Sequence, residues 1–408
     1  MLNKRERAVW RLLSGNIECR RSLAAAIILL MAGLELAAEP PGSPPTPAPT
    51  AADDSPEAQE ARYLSNIRQV TFSKMGLQES GEGYFAPDGR TIIFQAVPAG
   101  KQHYQIYTLG LDSGTLKRVS TGRGECTCSY FRPDGKKIIF ASSHLDPRLD
   151  AEGNDPSPPQ GSQGGKRNYT WTKNPYMDIF EADLDGSHLK RLTDAEGYDA
   201  EGAYSPDGQQ IAFASNRSGS MGIYLMNADG SSVRRLTETK DVYNGGPFIS
   251  PDGKHVIYRA DPQEKDYLQI FMMDIDGSNP VQLTDDPGVV NWAPYWHPNG
   301  WTIVFASSGP HHSNYDLHLL RIDPGHAASG EAGQSLRDRS REAGRGESRV
   351  ETTAAAGKLR RERITFHPKP DVLPVFSPDG QKLMWTSRRS DDGSSQLFIA
   401  DFKLPEDF

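Results

Sequence analysis

Short apolar and β-branched runs alternate with turn residues along nearly the whole chain beyond residue 62, and the alternation has a long period. Pro-Asp-Gly, once Pro-Asn-Gly, recurs with its proline at Pro87, Pro133, Pro206, Pro251, Pro298 and Pro378, at intervals of 46, 73, 45, 47 and 80. That is a unit of about 46 residues carrying two insertions, a period that marks propeller repeats. After each turn stands an apolar run, such as Thr91-Ile92-Ile93-Phe94, Gln210-Ile211-Ala212-Phe213 or Lys382-Leu383-Met384-Trp385, which reads as a strand. A further strand begins at Gln105, Asp178, Gly222, Gln269, Asp316 and Gln396 and runs into hairpin turns such as Asp183-Leu184-Asp185-Gly186, where glycine supplies the positive φ of the reversal. No glutamate stands at the twelfth position that a calcium loop of this kind requires.

The last strand of the unit follows five of the six copies, as in Leu116-Lys117-Arg118-Val119 and Glu362-Arg363-Ile364-Thr365. Its sixth copy stands ahead of the first unit, at Ile67-Arg68-Gln69-Val70-Thr71, while the sequence ends at Phe408 soon after the Gln396 strand. The pattern therefore predicts an all-β fold, a six-bladed β-propeller of four-stranded blades closed by an N-terminal outer strand in the last blade. Closure removes the strand edges that invite aggregation.

These six copies resemble the TolB-like propeller repeat family, also called WD40-like or PD40 repeats, over residues 63 to 408. The resemblance implies a bacterial envelope protein. It extends to the propeller alone: TolB carries an α/β domain ahead of its propeller, where this sequence has an apolar segment and a proline-rich stretch, so the resemblance does not carry over a role with the Tol-Pal system.

The N-terminal segment agrees with export. Arg20 and Arg21 precede an apolar run from Ser22 to Leu34, broken by Glu35 and ending in Leu36-Ala37-Ala38. A basic region, a short apolar core and small residues at a cleavage point make a signal peptide over residues 1–38. About a dozen apolar residues fall short of the ~20 that span a bilayer, so after cleavage the protein is not an integral membrane protein; without cleavage the segment is an anchor. The export route, general secretory or twin-arginine, stays open. Residues 39–62, rich in proline, read as an extended linker. The expected location is periplasmic or secreted, and the protein is expected to be a monomer.

Charge narrows the partners. The formal net charge is −8, and residues 1–38 hold six basic against three acidic side chains, so cleavage takes it to −11. Nucleic acid is excluded as a partner, since phosphate binding needs a basic surface. Of three cysteines, Cys19 leaves with the signal, and Cys126 and Cys128 are expected as free buried thiols, a bridge across one intervening residue being strained.

Candidate chemistry lies at one mouth of the channel. Strand order puts the loop leading into each innermost strand on the same face as the loop joining the second and third strands. Seven residues before each turn proline stand Ser80, Cys126, Asp199, Asn244, Asn291 and Asp371; two further on stand Glu82, Cys128, Glu201, Gly246, Ala293 and Leu373. With Glu125 beside Cys126, these make the mouth acidic and amide-rich, suited to a cation, an amine or a set of sugar hydroxyls. The Asp and Asn side chains equally suit capping of the turn into each strand. His144 ends a second strand on this face, as do His311 and His312, whereas His297 falls on the opposite face in a structural position. The ligand-binding candidates are thus Glu82, Glu125, Asp199, Glu201, Asn244, Asn291, Asp371 and His144. No short His/Cys/Asp spacing of a metal site is present, and neither catalytic residues nor a cofactor are assigned.

The insertion at about 146–175, with Tyr169, Trp171 and Tyr176, lies on the mouth face as a candidate lid. That at about 324–359 lies in a hairpin on the other face, and its mixed charge without apolar periodicity reads as a disordered loop. There is no Gly-x-Ser-x-Gly or His-Glu-x-x-His motif. The leading reading is an envelope binding or scaffold protein for a protein, peptide or glycan partner. The alternatives are a propeller lyase or hydrolase acting on a sugar or acidic substrate at the channel mouth, and a propeller that regulates a peptidase.

Overall fold

A computed structural model describes residues 54–156, 173–263, 266–309, 314–322, 359–406 and 408. The signal segment, His311, His312, Tyr169, Trp171 and nearly all of the second insertion lie outside the described residues. Residues 53–408 form one compact unit.

Six four-stranded antiparallel sheets make the blades. Their innermost strands are Leu77–Phe85, Cys126–Phe131, Asp199–Tyr204, Asn244–Ile249, Asn291–Trp296 and Asp371–Phe376, for blades one to six. Five blades follow chain order from innermost to outermost strand. In blade six the outermost strand is Leu64–Gln69, antiparallel to Gln396–Phe402 with Leu64 opposite Phe402 and Gln69 opposite Phe398. The ring is thus closed by the N-terminal strand, as the repeat count predicts.

The turn tripeptide does the same work at every copy. The Asp88 carboxylate accepts from the amide of Arg90, and Asp134, Asp207, Asp252 and Asp379 accept likewise from the residue two places on. Asn299 substitutes its amide oxygen in blade five. The glycine that follows takes positive φ, 68° at Gly135, which other residues adopt only with strain.

Packing repeats with the same period. The fourth residue of each second-strand run is aromatic and faces an aromatic or histidine on the third strand, as in Phe94 with Tyr107, Phe140 with Phe180 and Trp385 with Phe398, ring centroids 6.1, 6.5 and 6.2 Å apart. Such cross-strand pairs stabilise a sheet face. Each outermost strand also ends in a hydroxyl that accepts the amide of the third strand: Ser120 for Ile106, Thr193 for Ile179, Thr237 for Ile223, Thr284 for Ile270, Thr365 for Leu317 and, across the chain ends, Thr71 for Leu397.

The expected linker stops short of residue 62. Pro56–Glu60 is one helical turn, with Ser55 capping it and proline in its first turn, a position where the missing amide costs nothing. Its last residue, Glu60, is buried and accepts two bonds from Arg389 of blade six, at 2.9 and 3.1 Å.

Candidate functional site

Each innermost strand carries a bulge, with the register slipping between Gly81 and Gly83, Thr127 and Tyr130, Ala200 and Ala203, Gly245 and Phe248, Trp292 and Tyr295, and Val372 and Val375. Within it one residue takes positive φ in every blade: Glu82 45°, Cys128 52°, Glu201 56°, Gly246 57°, Ala293 51° and Leu373 54°. Five of the six are not glycine, and each such residue stores about 1–3 kcal/mol of strain that its surroundings must hold.

The bulge separates the two sequence-predicted rings. Apart from Ser80, whose buried hydroxyl has no hydrogen bond among the described residues, the first ring is turned to bonds within or between neighbouring blades, and none of its members lines the channel chamber. Asp199 takes Arg217 at 2.7 Å. Asp371 accepts from the Trp385 indole at 3.0 Å and from Arg389 at 2.5 Å. Asn244 donates to the carbonyls of Met221 and Val242 and to the Thr239 hydroxyl. Asn291 donates to Gln269 and Asp286 and accepts from Arg361. Burial holds the Asp371 carboxyl above its ordinary range against the pull of Arg389. Cys126 is buried beside the Ser142 hydroxyl, and burial pushes its thiol up to about 12. Both cysteines are free.

Glu125 and His144 sit apart from the channel. Glu125 is buried, its carboxylate 3.7 Å from His103. His103 also meets the Asp155 carbonyl at 3.1 Å, where Asp155 anchors the stem of the first insertion through Ser143 and Asn174. His144 is half-buried against Phe180, bonded to Ser142 at 3.0 Å, and held below its ordinary range by burial and by Arg123 and Arg191. His297 packs edge-on to Phe376, away from the mouth.

The second ring makes the chamber. Glu82, Cys128, Glu201, Gly246, Ala293 and Leu373 line a small cavity of about 30 Å³, large enough to hold water. Glu201 is clamped by Arg259 at 2.5 Å and by the Gly246 amide at 2.6 Å; Arg259 also donates to Tyr243 at 3.0 Å. Gly246 is required here, because a Cβ would stand 1.9 Å from the Arg259 guanidinium. Glu82 accepts from the Tyr84 hydroxyl at 3.3 Å and the Cys128 thiol at 3.8 Å. Burial first, and the Glu201 charge second, push its carboxyl up to about 7. Ser129 lines the same space, 1% exposed, with no hydrogen bond to its hydroxyl among the described residues.

Beyond this layer the channel is plugged. Tyr84, Tyr130, Phe248 and Tyr295 meet with centroids 5.0–6.1 Å apart, and the Tyr130 and Tyr295 hydroxyls bond across the axis at 3.1 Å. The chamber is therefore a cup whose far side is closed. Sequence reasoning named its wall but missed its floor and its cation. The floor was legible: Tyr84, Tyr130, Phe248 and Tyr295 each stand three residues before a turn proline. Arg259 comes from a second strand and had no periodic signal.

Among the described residues no group of three or more His, Cys, Asp and Glu could hold a metal ion. Likewise no helix is long and apolar enough to cross a membrane. Residues 150–327 match the family model for the TolB beta propeller domain. No curated protein matches the sequence. Among solved structures the chain is similar to a putative TolB from Agrobacterium tumefaciens, at 17% identity and TM-score 0.48 over 80% of this chain and 91% of that one. It is similar to TolB from Acinetobacter baumannii at 19% identity and TM-score 0.45, over 79% of this chain and 63% of that one. An oligogalacturonate lyase from Vibrio parahaemolyticus shares 14% identity at TM-score 0.46, over 85% and 96%.

Proposed function

From the premise that this chain carries a propeller of the TolB type, we propose that it is an exported cell-envelope binding or scaffold protein, which takes a protein, peptide or glycan partner at the channel mouth. The observation that carries this reading is the closed cup: an aromatic floor under a wall that is polar on blades one to four and apolar on blades five and six. A preformed concavity of this size with a few placed polar groups suits a single side chain or hydroxyl group of a larger partner rather than a whole small molecule. Export belongs to the same proposal, and sequencing the N-terminus of the protein secreted by its host is expected to find it near Glu39.

The binding reading is tested by photo-crosslinking. A photoreactive side chain at position 373, in the chamber wall, is expected to capture a discrete envelope partner. The same group at position 301, an exposed tryptophan beside a turn of the opposite face, is expected to capture none. Equal capture at both positions, or none at either, contradicts it.

One observation favours the second reading, a lyase or hydrolase. Glu82, pushed up to about 7, exchanges its proton near neutrality as a general acid or base must. The net negative charge of the cup opposes an acidic substrate, so this reading is confined to neutral sugars. Chain shortening of neutral oligosaccharides by the purified protein, lost in Glu82→Gln, would replace binding with catalysis.

A further inference from the structure

The chamber has two chemically distinct walls, and we propose that it receives the ammonium head of a lysine side chain presented by the partner polypeptide. The inference rests on the reading of the mouth as a binding surface and specifies what enters it.

Charge decides the sign of the guest. Glu201 is neutralised by Arg259, which is buried with it and also bonded to Tyr243. Glu82 has no cation within salt-bridge distance among the described residues; its bonds are to a phenol and a thiol. When Glu82 is ionised the chamber carries one uncompensated negative charge, which is costly away from water. An anion is repelled, whereas a cation supplies the missing partner.

Size and shape decide the kind of cation. The cavity is small and its placed acceptors suit the compact point charge of an ammonium better than the broad planar fork of a guanidinium. An ammonium carries three donors; the Glu82 carboxylate and the unpartnered Ser129 hydroxyl are acceptors on the lining. On blades five and six, Trp292, Ala293 and Leu373 offer apolar surface, along which a lysine stem lies while its charged tip reaches polar groups.

The site is linked to pH. Around Glu82 stand Tyr84 on its own strand and Cys128, Glu201, Arg259 and Tyr198 from blades two, three and four. Burial drives the tyrosines and the thiol further above neutrality, and the surrounding acid and phenol keep Arg259 charged. Only ionised Glu82 welcomes a cation, so affinity rises with pH through the titration of that carboxyl.

Calorimetric titration of the full chain with Nα-acetyl-lysine N-methylamide, beside its arginine and norleucine counterparts and spermidine, tests this. The lysine probe is expected to bind at least tenfold more tightly than the arginine and norleucine probes, and about tenfold more tightly at pH 8 than at pH 6. Glu82→Gln is expected to lose at least tenfold and to flatten the pH dependence; Ser129→Ala is expected to lose a smaller factor. Equal binding of norleucine, or unchanged affinity in Glu82→Gln, overturns the proposal, and tighter binding of spermidine overturns the assignment to a polypeptide lysine. Should Glu82→Gln not fold, the lysine-to-norleucine contrast and the pH dependence of the unaltered protein decide. Loss of lysine preference with crosslinking at position 373 intact sinks this inference alone; loss of both sinks the binding reading with it.

Discussion

Arg259 is the residue on which the chamber's electrostatics turn. It crosses from blade four to Glu201 of blade three through the gap that Gly246 leaves open. Removing one partner of a buried pair leaves the other charged and unsatisfied, so Arg259→Leu is expected to cost about 3–5 kcal/mol in urea unfolding. The double change with Glu201→Gln is expected to recover much of that loss. Glu82 makes the opposite prediction. Its folded carboxyl is raised to about 7 from 4.5, so the folded state binds the proton more tightly than the unfolded chain. Stability is then fullest below about pH 4.5 and falls as pH climbs through 7, by ~3 kcal/mol from this group. Glu82→Gln should erase that decline, read as unfolding midpoints between pH 5 and 8. The thiols offer a simpler check. With Cys126 raised to about 12 and Cys128 also raised by burial, neither is expected to react with iodoacetamide at pH 8 until the chain is denatured.

Blade construction shows which signals a sequence carries openly. Turn chemistry and apolar runs recur six times and so were readable, as was the displaced outer strand at Ile67-Thr71. The bulge was not, because a register slip of one residue leaves the residue types unchanged. Reading the innermost strands as regular put Asp199, Asn244, Asn291 and Asp371 beside Glu82 and Glu201 at the mouth; the bulge turns the first group into the blades and the second into the channel. The short helix at Pro56–Glu60 was hidden for a related reason: its anchor is Arg389, more than 300 positions away. The hydroxyl ending each outer strand is a further repeat, and it makes the latch testable. If Thr71 serves blade six as Thr237 serves blade three, Thr71→Val and Thr237→Val should each cost about 1–3 kcal/mol by thermal unfolding, the price of a buried amide left unpaired. A negligible cost at Thr71 alone would mean that the ring is not closed by that strand.

Across the whole molecule, the six bulges act together. No single blade makes a site; the chamber exists because six positive-φ residues meet above four aromatic rings on one axis. An open channel would be filled with water, and Glu82 would titrate normally. A cup with a closed floor desolvates it. The central claim is therefore best tested on Glu82 itself, by following its ¹³C-labelled side-chain carboxyl through a pH titration by NMR, with Glu82→Gln assigning the signal. The closed chamber predicts a midpoint near 7. A midpoint near the ordinary value of 4.5 would mean an open, hydrated channel and would contradict the account.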